Sequence, residues 1–481
     1  MGGIPYKSQG CANCKKRRIK CDLVEPECAK CIKKGILCPG YDKHRNFLHH
    51  TVVSRVERNG ETRRPIPQLV GHLKPLALPA GFNMSAEART QLFSTFVDTF
   101  FAPNTYLNGK DDSWYFLMTR FPTLAGESEL LDRAVIALAC VFMGRRIGDC
   151  HLAQHGVEIY NSALRLMAGV LQRKCPPTPD ILYAAIVFHT YETMHSHATA
   201  LRNCFVHVQG TTAILKHHNY DGHSDQSLIQ AILTRQKWAV SYFIINTQFR
   251  SEVDWQCLTL GKEDSPLDEL FGMIAKCAFL QRDLDKILAQ PFPPPKETHE
   301  ALVHRCLALE CNLQVDWLTG PARKLDGSPS PCSRTKFSQE PSILPPDPNI
   351  TPYEFPSLGT AKTYLLLWVA SIVARRVMYK AEKLSHPSPD PKRMLFYAGE
   401  VSRSVAYCLL PKRQMSCGQV VLFAVSQASK CYIETGEKEM FMWCQGVYPI
   451  IQSRGFDMAL RLSEVEWEFW NAMQRGSEAA L

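Results

Sequence analysis

Six cysteines, at positions 11, 14, 21, 28, 31 and 38, stand in the spacing C-x2-C-x6-C-x6-C-x2-C-x6-C. The unit Cys11, Cys14, Cys21 recurs seventeen residues later as Cys28, Cys31, Cys38. Thiolates are strong zinc ligands, and a closed structural zinc site takes four of them in a tetrahedron. Two zinc ions need eight bonds, so six sulfurs suffice only if two of them bridge. The internal repeat offers one bridge per half. A segment this short cannot bury enough apolar surface to fold alone, so metal must supply its core. Binding energies of about 10–16 kcal/mol in small zinc peptides set the scale. Two other chemistries suit the same residues. A disulfide knot has fifteen possible pairings and belongs to secreted chains. Two separate mononuclear sites would hold three ligands each, the pattern of an open catalytic zinc, and no general base stands close by.

Between the second and third cysteines lie Lys15, Lys16, Arg17, Arg18, Ile19 and Lys20, five of them cationic. Good helix formers after a C-x2-C turn predict a short helix here. The equivalent stretch of the second half, Ile32 to Leu37, is less charged, and Gly35 is suited to ending its helix. The first half is therefore expected to face DNA, and the second to pack and add backbone contacts. The whole chain carries a net charge of +9, and residues 1–64 alone hold 15 Lys and Arg against 6 Asp and Glu. A cationic block at one end of an otherwise neutral chain points to a polyanionic partner for that end. Two zincs and six thiolates together carry about −2, so loading lowers residues 1–46 from +7 to about +5.

The run Gly10 to Asp22 (GCANCKKRRIKCD), then Pro26 to Cys31 (PECAKC), Gly35, and Cys38 to Tyr41 (CPGY) resembles the fungal binuclear zinc cluster transcription factors over about 35 residues. The resemblance implies two zinc ions with Cys11 and Cys28 as bridging thiolates. One zinc would take Cys11, Cys14, Cys21 and Cys28, the other Cys11, Cys28, Cys31 and Cys38. Pro26 would fix the loop joining the halves. Arg17 and Arg18 fall where the family presents a basic residue to a CGG triplet, and an Arg fork can donate to guanine O6 and N7. Lys15, Lys16 and Lys20 are expected on phosphates, and the same basic run would also serve nuclear import.

The rest of the chain must position and regulate that unit. Residues 46–85 read as a linker punctuated by Pro65, Pro67, Pro75 and Pro79. Phe47, Leu48, Val52, Val53 and Val56 give at most one or two helical turns, not a sustained heptad repeat. A monomer, or a homodimer formed through the large domain, is thus expected rather than a linker coiled coil. From Ser85 onward the 3.6-residue period predicts helices over 86–101, 129–144, 153–172, 179–194, 204–217, 226–247, 266–289, 297–318, 360–384, 392–409, 418–436, 437–454 and 463–473. Nine prolines between Pro321 and Pro356 mark 320–359 as an exposed loop. The expected architecture is a small metal-organised DNA-binding domain at 1–45, two short helices around a two-zinc cluster, followed by a large all-α regulatory domain at 86–475.

Tyr183 to Glu192 (YAAIVFHTYE), His207 to Gly210 (HVQG), Ile214 and Leu215 resemble the fungal-specific regulatory domain that accompanies such clusters. This implies coregulator binding, with a ligand-gated receptor-type regulator as the alternative. Tyr191, Glu192 and His207 are otherwise expected in helix packing and capping. Enzyme signatures are missing: there is no G-x-S-x-G, phosphate loop or dinucleotide fingerprint, so no enzyme is expected. His299 and His304 are five apart, about 140° around a helix, and cannot share a metal. Residues 464–473 could form an activation patch, but Leu462, Val465, Phe469 and Met473 make a stripe better suited to the core. The thirteen cysteines after Cys38 are expected as small apolar core residues. No signal peptide is apparent, and the apolar run from Tyr364 to Ala374 is too short to span a bilayer. A nuclear regulator of RNA polymerase II genes with double-stranded DNA as partner is the expectation.

Overall fold

Capping residues and prolines fix where the helices start and stop. The computed structural model describes residues 11–22, 28–36, 38, 86–101, 113–124, 126–172, 178–195, 199–217, 226–246, 254–259, 265–290, 295–326, 332–334, 343–346, 351–386, 388–410 and 417–478. The chain separates into two units, Met1–Lys74 and Pro75–Leu481. The linker with Phe47, Leu48, Val52, Val53 and Val56 lies outside the described residues, as do Pro26, Tyr41 and Ser85.

In the first unit, α1 (Ala12–Lys16) and α2 (Ala29–Ile32) each start just after the first cysteine of a half. The helix expected between Cys14 and Cys21 therefore sits earlier, taking in the C-x2-C residues and stopping at Lys16. Its end has a plain cause. The Ile19 N–H donates back to the Cys14 carbonyl at 3.1 Å while Arg18 turns into the left-handed region at φ 54°. The second half repeats the device, with Ile36 N–H on the Cys31 carbonyl at 3.2 Å and Gly35 at φ 66°. Such a closure satisfies helix-end carbonyls and ordinarily uses glycine. Arginine in that conformation costs about 1–2 kcal/mol.

The second unit is largely helical: α3 (Ala86–Phe100), α4 (Ser113–Arg120), α5 (Glu129–Ile147), α6 (Cys150–Gln172), α7 (Pro179–Met194), α8 (Ala200–His217), α9 (Gln226–Ile245), α10 (Pro266–Leu288), α11 (Lys296–Cys311), α12 (Leu358–Glu382), α13 (Lys392–Cys408), α14 (Cys417–Thr435), α15 (Lys438–Ser453) and α16 (Met458–Glu478). Pro179 and Pro266 occupy first turns, where a missing N–H costs nothing. Ser128, Ser265 and Ser357 cap α5, α10 and α12 by accepting from the N–H of Leu131, Asp268 and Thr360. Gly148 closes α5 at φ 73°. Helix α12 is buried on nearly every side and packs against α10, α11, α13 and α14. Helices α5 and α6 cross closely at Gly156, where a Cβ would come within 2.7 Å of the Val141 side chain.

The Pro-rich segment 320–359 is not simply an exposed loop. Ser333–Arg334 (β1) pairs antiparallel with Tyr353–Glu354 (β2), and Ile343, Tyr353 and Phe355 are buried. Trp443 donates to the Ile343 carbonyl at 3.3 Å, and the Tyr353 hydroxyl donates to Glu400 at 2.6 Å. Proline count captured the turns but not these apolar anchors. Beyond the six N-terminal cysteines, Cys140, Cys204, Cys257, Cys277, Cys306, Cys408, Cys417, Cys431 and Cys444 are buried, while Cys150 and Cys311 are exposed. Among the described residues no helix is long and apolar enough to cross a membrane.

Candidate metal centre and nucleic-acid interface

Helices α1 and α2 carry Cys14 and Cys31, and Cys11 and Cys28 stand immediately before them. Cys11, Cys14, Cys28 and Cys31 are fully buried, Cys38 is nearly so, and Cys21 is half-buried. The Sγ atoms of Cys11 and Cys28, Cys11 and Cys31, and Cys14 and Cys28 are each 3.7 Å apart. A disulfide would need about 2.05 Å. Two thiolates on one tetrahedral zinc, each at about 2.3 Å, stand roughly 3.8 Å apart, so the spacing fits a shared metal rather than a covalent bridge. The sulfurs of Cys11, Cys14, Cys21 and Cys28 lie within 4.8 Å of one another, and so do those of Cys11, Cys28, Cys31 and Cys38. Cys11 and Cys28 belong to both groups, which is what a bridged pair of metals requires.

The electrostatics of the site come from burial, from backbone N–H donors and from the contacts of the thiols with one another. The Cys14 N–H donates to Cys11 Sγ at 3.4 Å and pulls that thiol down to about 6, against a smaller opposing effect of burial. Burial pushes Cys14 up to about 12 and raises Cys28 and Cys31 as well. Metal ligation must therefore expel protons from thiols that burial alone would keep protonated. Sequence reasoning missed one supporting group. Asp22 Oδ2 accepts from the Ala29 N–H at 3.0 Å, capping α2 and tying the first half to the second. An acidic residue directly after Cys21 was the available signal.

The basic residues follow directly on the first C-x2-C unit. Lys15 and Lys16 close α1, Arg17 and Arg18 form the turn after it, and Lys20 precedes Cys21. Lys16, Arg18 and Lys20 are exposed. Arg17 is half-buried, and its Nη1 is enclosed without a hydrogen-bond partner. For Lys15, the side chain lies outside the description.

In the helical unit, Glu192 and His207 join one buried network. The Tyr160 hydroxyl donates to Glu192 at 2.6 Å and lies 3.0 Å from His207 Nε2, while Asn203 donates to Glu192 at 3.0 Å. Tyr191 stacks on Tyr160 with ring centres 3.8 Å apart. Burial lowers His207 to about 4, so it is neutral in the fold. These contacts are the helix packing expected of those residues. His299 is buried beside the Ser385 hydroxyl, whereas His304 is exposed on the same helix. Among the described residues only the two cysteine groups are arranged to hold a metal.

The model of the fungal Zn(2)-Cys(6) binuclear cluster domain matches residues 9–46, which contain all six cysteines. A domain of this kind holds two zinc ions and is the DNA-binding module of a zinc-cluster transcription-factor family. No curated protein and no solved structure matches the chain.

Proposed function

We propose that the chain is a sequence-specific transcription factor that regulates RNA polymerase II genes from the nucleus and reads CGG-type half-sites in the major groove. The premise is the two-zinc cluster domain at residues 9–46. The observation that carries the reading is the coincidence of two four-sulfur groups with an exposed cationic turn directly after the first C-x2-C unit. Cys11, Cys14, Cys21, Cys28, Cys31 and Cys38 ligate the zincs, with Cys11 and Cys28 bridging. The metals stiffen the segment so that Arg17 and Arg18 meet base edges while Lys15, Lys16 and Lys20 hold phosphates. Residues 46–85 act as the linker and 86–475 as an all-α regulatory domain of the fungal type, which recruits coregulators. Selection of duplexes by the full zinc-loaded chain from a random pool tests this. CGG triplets should be enriched, and a pool left without sequence preference would reject it.

A second reading concerns gating. A cleft in the helical unit, lined by both apolar and polar side chains, favours a regulator whose output depends on a small molecule. Cleft-filling substitutions should then change transcriptional output without changing the bound DNA motif.

A further inference from the structure

Helix α16 presents a row of large apolar side chains outward. Val465, Phe469 and Met473 recur every four residues, each step turning by about 40°, and they are between 44 and 57% exposed. The helix turns Leu462, Glu466 and Trp470 to the core instead. Glu466 is held there by Ser429 of α14 and Tyr448 of α15, and Trp470 stacks on Phe441 of α15 with ring centres 4.6 Å apart. These contacts fix the rotation of α16, so the outer row cannot turn inward without breaking them. Single exposed apolar residues on other helices, such as Leu171, Val206 and Leu288, are ordinary. Three in register on one helix form a continuous face, the mark of a contact surface.

The charges beside that face point to a second copy of the chain. Arg461 and Glu464 pair with each other within the helix at 2.7 Å. Glu468 and Arg475 are exposed and stand seven residues apart, which places both on the same flank of the row, two turns from each other. A two-fold interface must be self-complementary, because residue i of one copy meets j of the other and j meets i. Antiparallel α16 helices centred between Asn471 and Ala472 satisfy this. Glu468 then faces Arg475 of the second copy, and Arg475 faces its Glu468. Phe469 falls beside the other Met473, and the small Ala472 lies at the axis, where the helices come closest. Parallel helices would not bring the two charged flanks together. We propose that the outer face of α16 is the interface of a two-fold homodimer, its apolar row packed antiparallel against the same row of a second copy. The contact is small, at the low end of specific interfaces, so a dissociation constant on the order of 1–100 μM is expected. Two copies held on neighbouring DNA sites would meet at an effective concentration on the order of millimolar and pair fully. The face would thus couple one bound copy to the next.

Sedimentation equilibrium of the full zinc-loaded chain over about 1–200 μM tests the proposal. No DNA is present, so the outcome does not depend on the CGG reading. The mass should rise from one copy to two and stop there, because a two-fold contact closes on itself. Phe469→Asp should weaken the dimer by about tenfold or more, while its melting temperature stays near the parent's because the ring lies largely outside the core. Glu468→Arg and Arg475→Glu each turn two attractions into two repulsions. Either alone should weaken the dimer by about fivefold, and the double variant, which exchanges the charges, should return it to within about threefold of the parent. A chain that stays monomeric throughout, as it would if a different protein covers this face, overturns the proposal. So does a dimer indifferent to Phe469→Asp, a mass that keeps growing past two copies, or a double variant no tighter than the single ones.

Discussion

Arg18 stands in the left-handed position that Gly35 fills in the other half of the repeat, at φ 54° against 66°. A side chain there costs the folded state about 1–2 kcal/mol. Replacing it with glycine removes that cost but frees the unfolded chain, which is worth about 0.4–1 kcal/mol. The two effects nearly cancel, so Arg18→Gly should leave the zinc-loaded unit within about 1 kcal/mol of the parent. DNA recognition should change more. A bidentate contact to guanine is worth about 1–3 kcal/mol, or roughly a 5- to 150-fold weaker Kd on a CGG duplex. Fluorescence anisotropy with the full chain, on CGG and scrambled duplexes over about 50–200 mM salt, resolves the role. Base reading predicts that both zincs are retained, that affinity for CGG falls toward that for scrambled DNA, and that the salt dependence changes little. A phosphate role predicts equal losses on both duplexes and a slope of log K against log salt shallower by about 0.9. Equal losses, or an unchanged CGG affinity, would refute the argument that strain is kept at Arg18 for base contact.

Metal analysis of the full chain should give two zincs. Chelation should abolish DNA binding yet leave most far-ultraviolet helicity, since the second unit has a core of its own; retained DNA binding would count against the cluster. Glu466 is 2% exposed, and burial lifts its carboxyl to about 7, although Ser429 and Tyr448 donate to it at 2.6 and 2.7 Å. Its folded value lies above the unfolded one, so the stability it lends is full below about pH 4.5 and is lost as pH rises through about 7. The loss is about 3 kcal/mol. Glu466→Gln should flatten that limb of the melting profile, and an unchanged slope would disprove the assignment. Glu434 behaves oppositely: burial pushes it up, but Arg376 and Lys380, the latter at 2.9 Å, outweigh this and hold it at about 2. Its contribution, also about 3 kcal/mol, is present above about pH 4.5 and lost as pH falls toward 2. Glu434→Gln should destabilise at pH 7 and not at pH 2; equal melting shifts at both would reject the ion-pair account.

How much of this was legible from the sequence depended on whether the deciding contact was local. The cysteine spacing is local, and it called for two metals sharing six sulfurs; the fold brings those sulfurs into two overlapping groups of four. Helix ends were legible at Pro179 and Pro266, because their constraint acts on the residue that carries it. The position of α1 was not, because its end is set by an arginine adopting a conformation that the sequence associates with glycine. Helix α4 escaped notice because eight residues show too little period to mark a face. The stripe of Leu462, Val465, Phe469 and Met473 shows the limit of periodicity most clearly. Leu462 is buried, but Val465, Phe469 and Met473 are 44, 57 and 44% exposed, while Glu466 and Trp470 face inward instead. A carboxylate on an apolar-looking helix counts as polar in any pattern, yet this one is met by donors from α14 and α15. Those partners lie 37 and 18 residues away in sequence. Ligand chemistry that is written in a contiguous motif can be read before folding. Chemistry assembled from distant helices exists only once the core has packed, so in this chain the metal centre was readable from the start and the cleft was not.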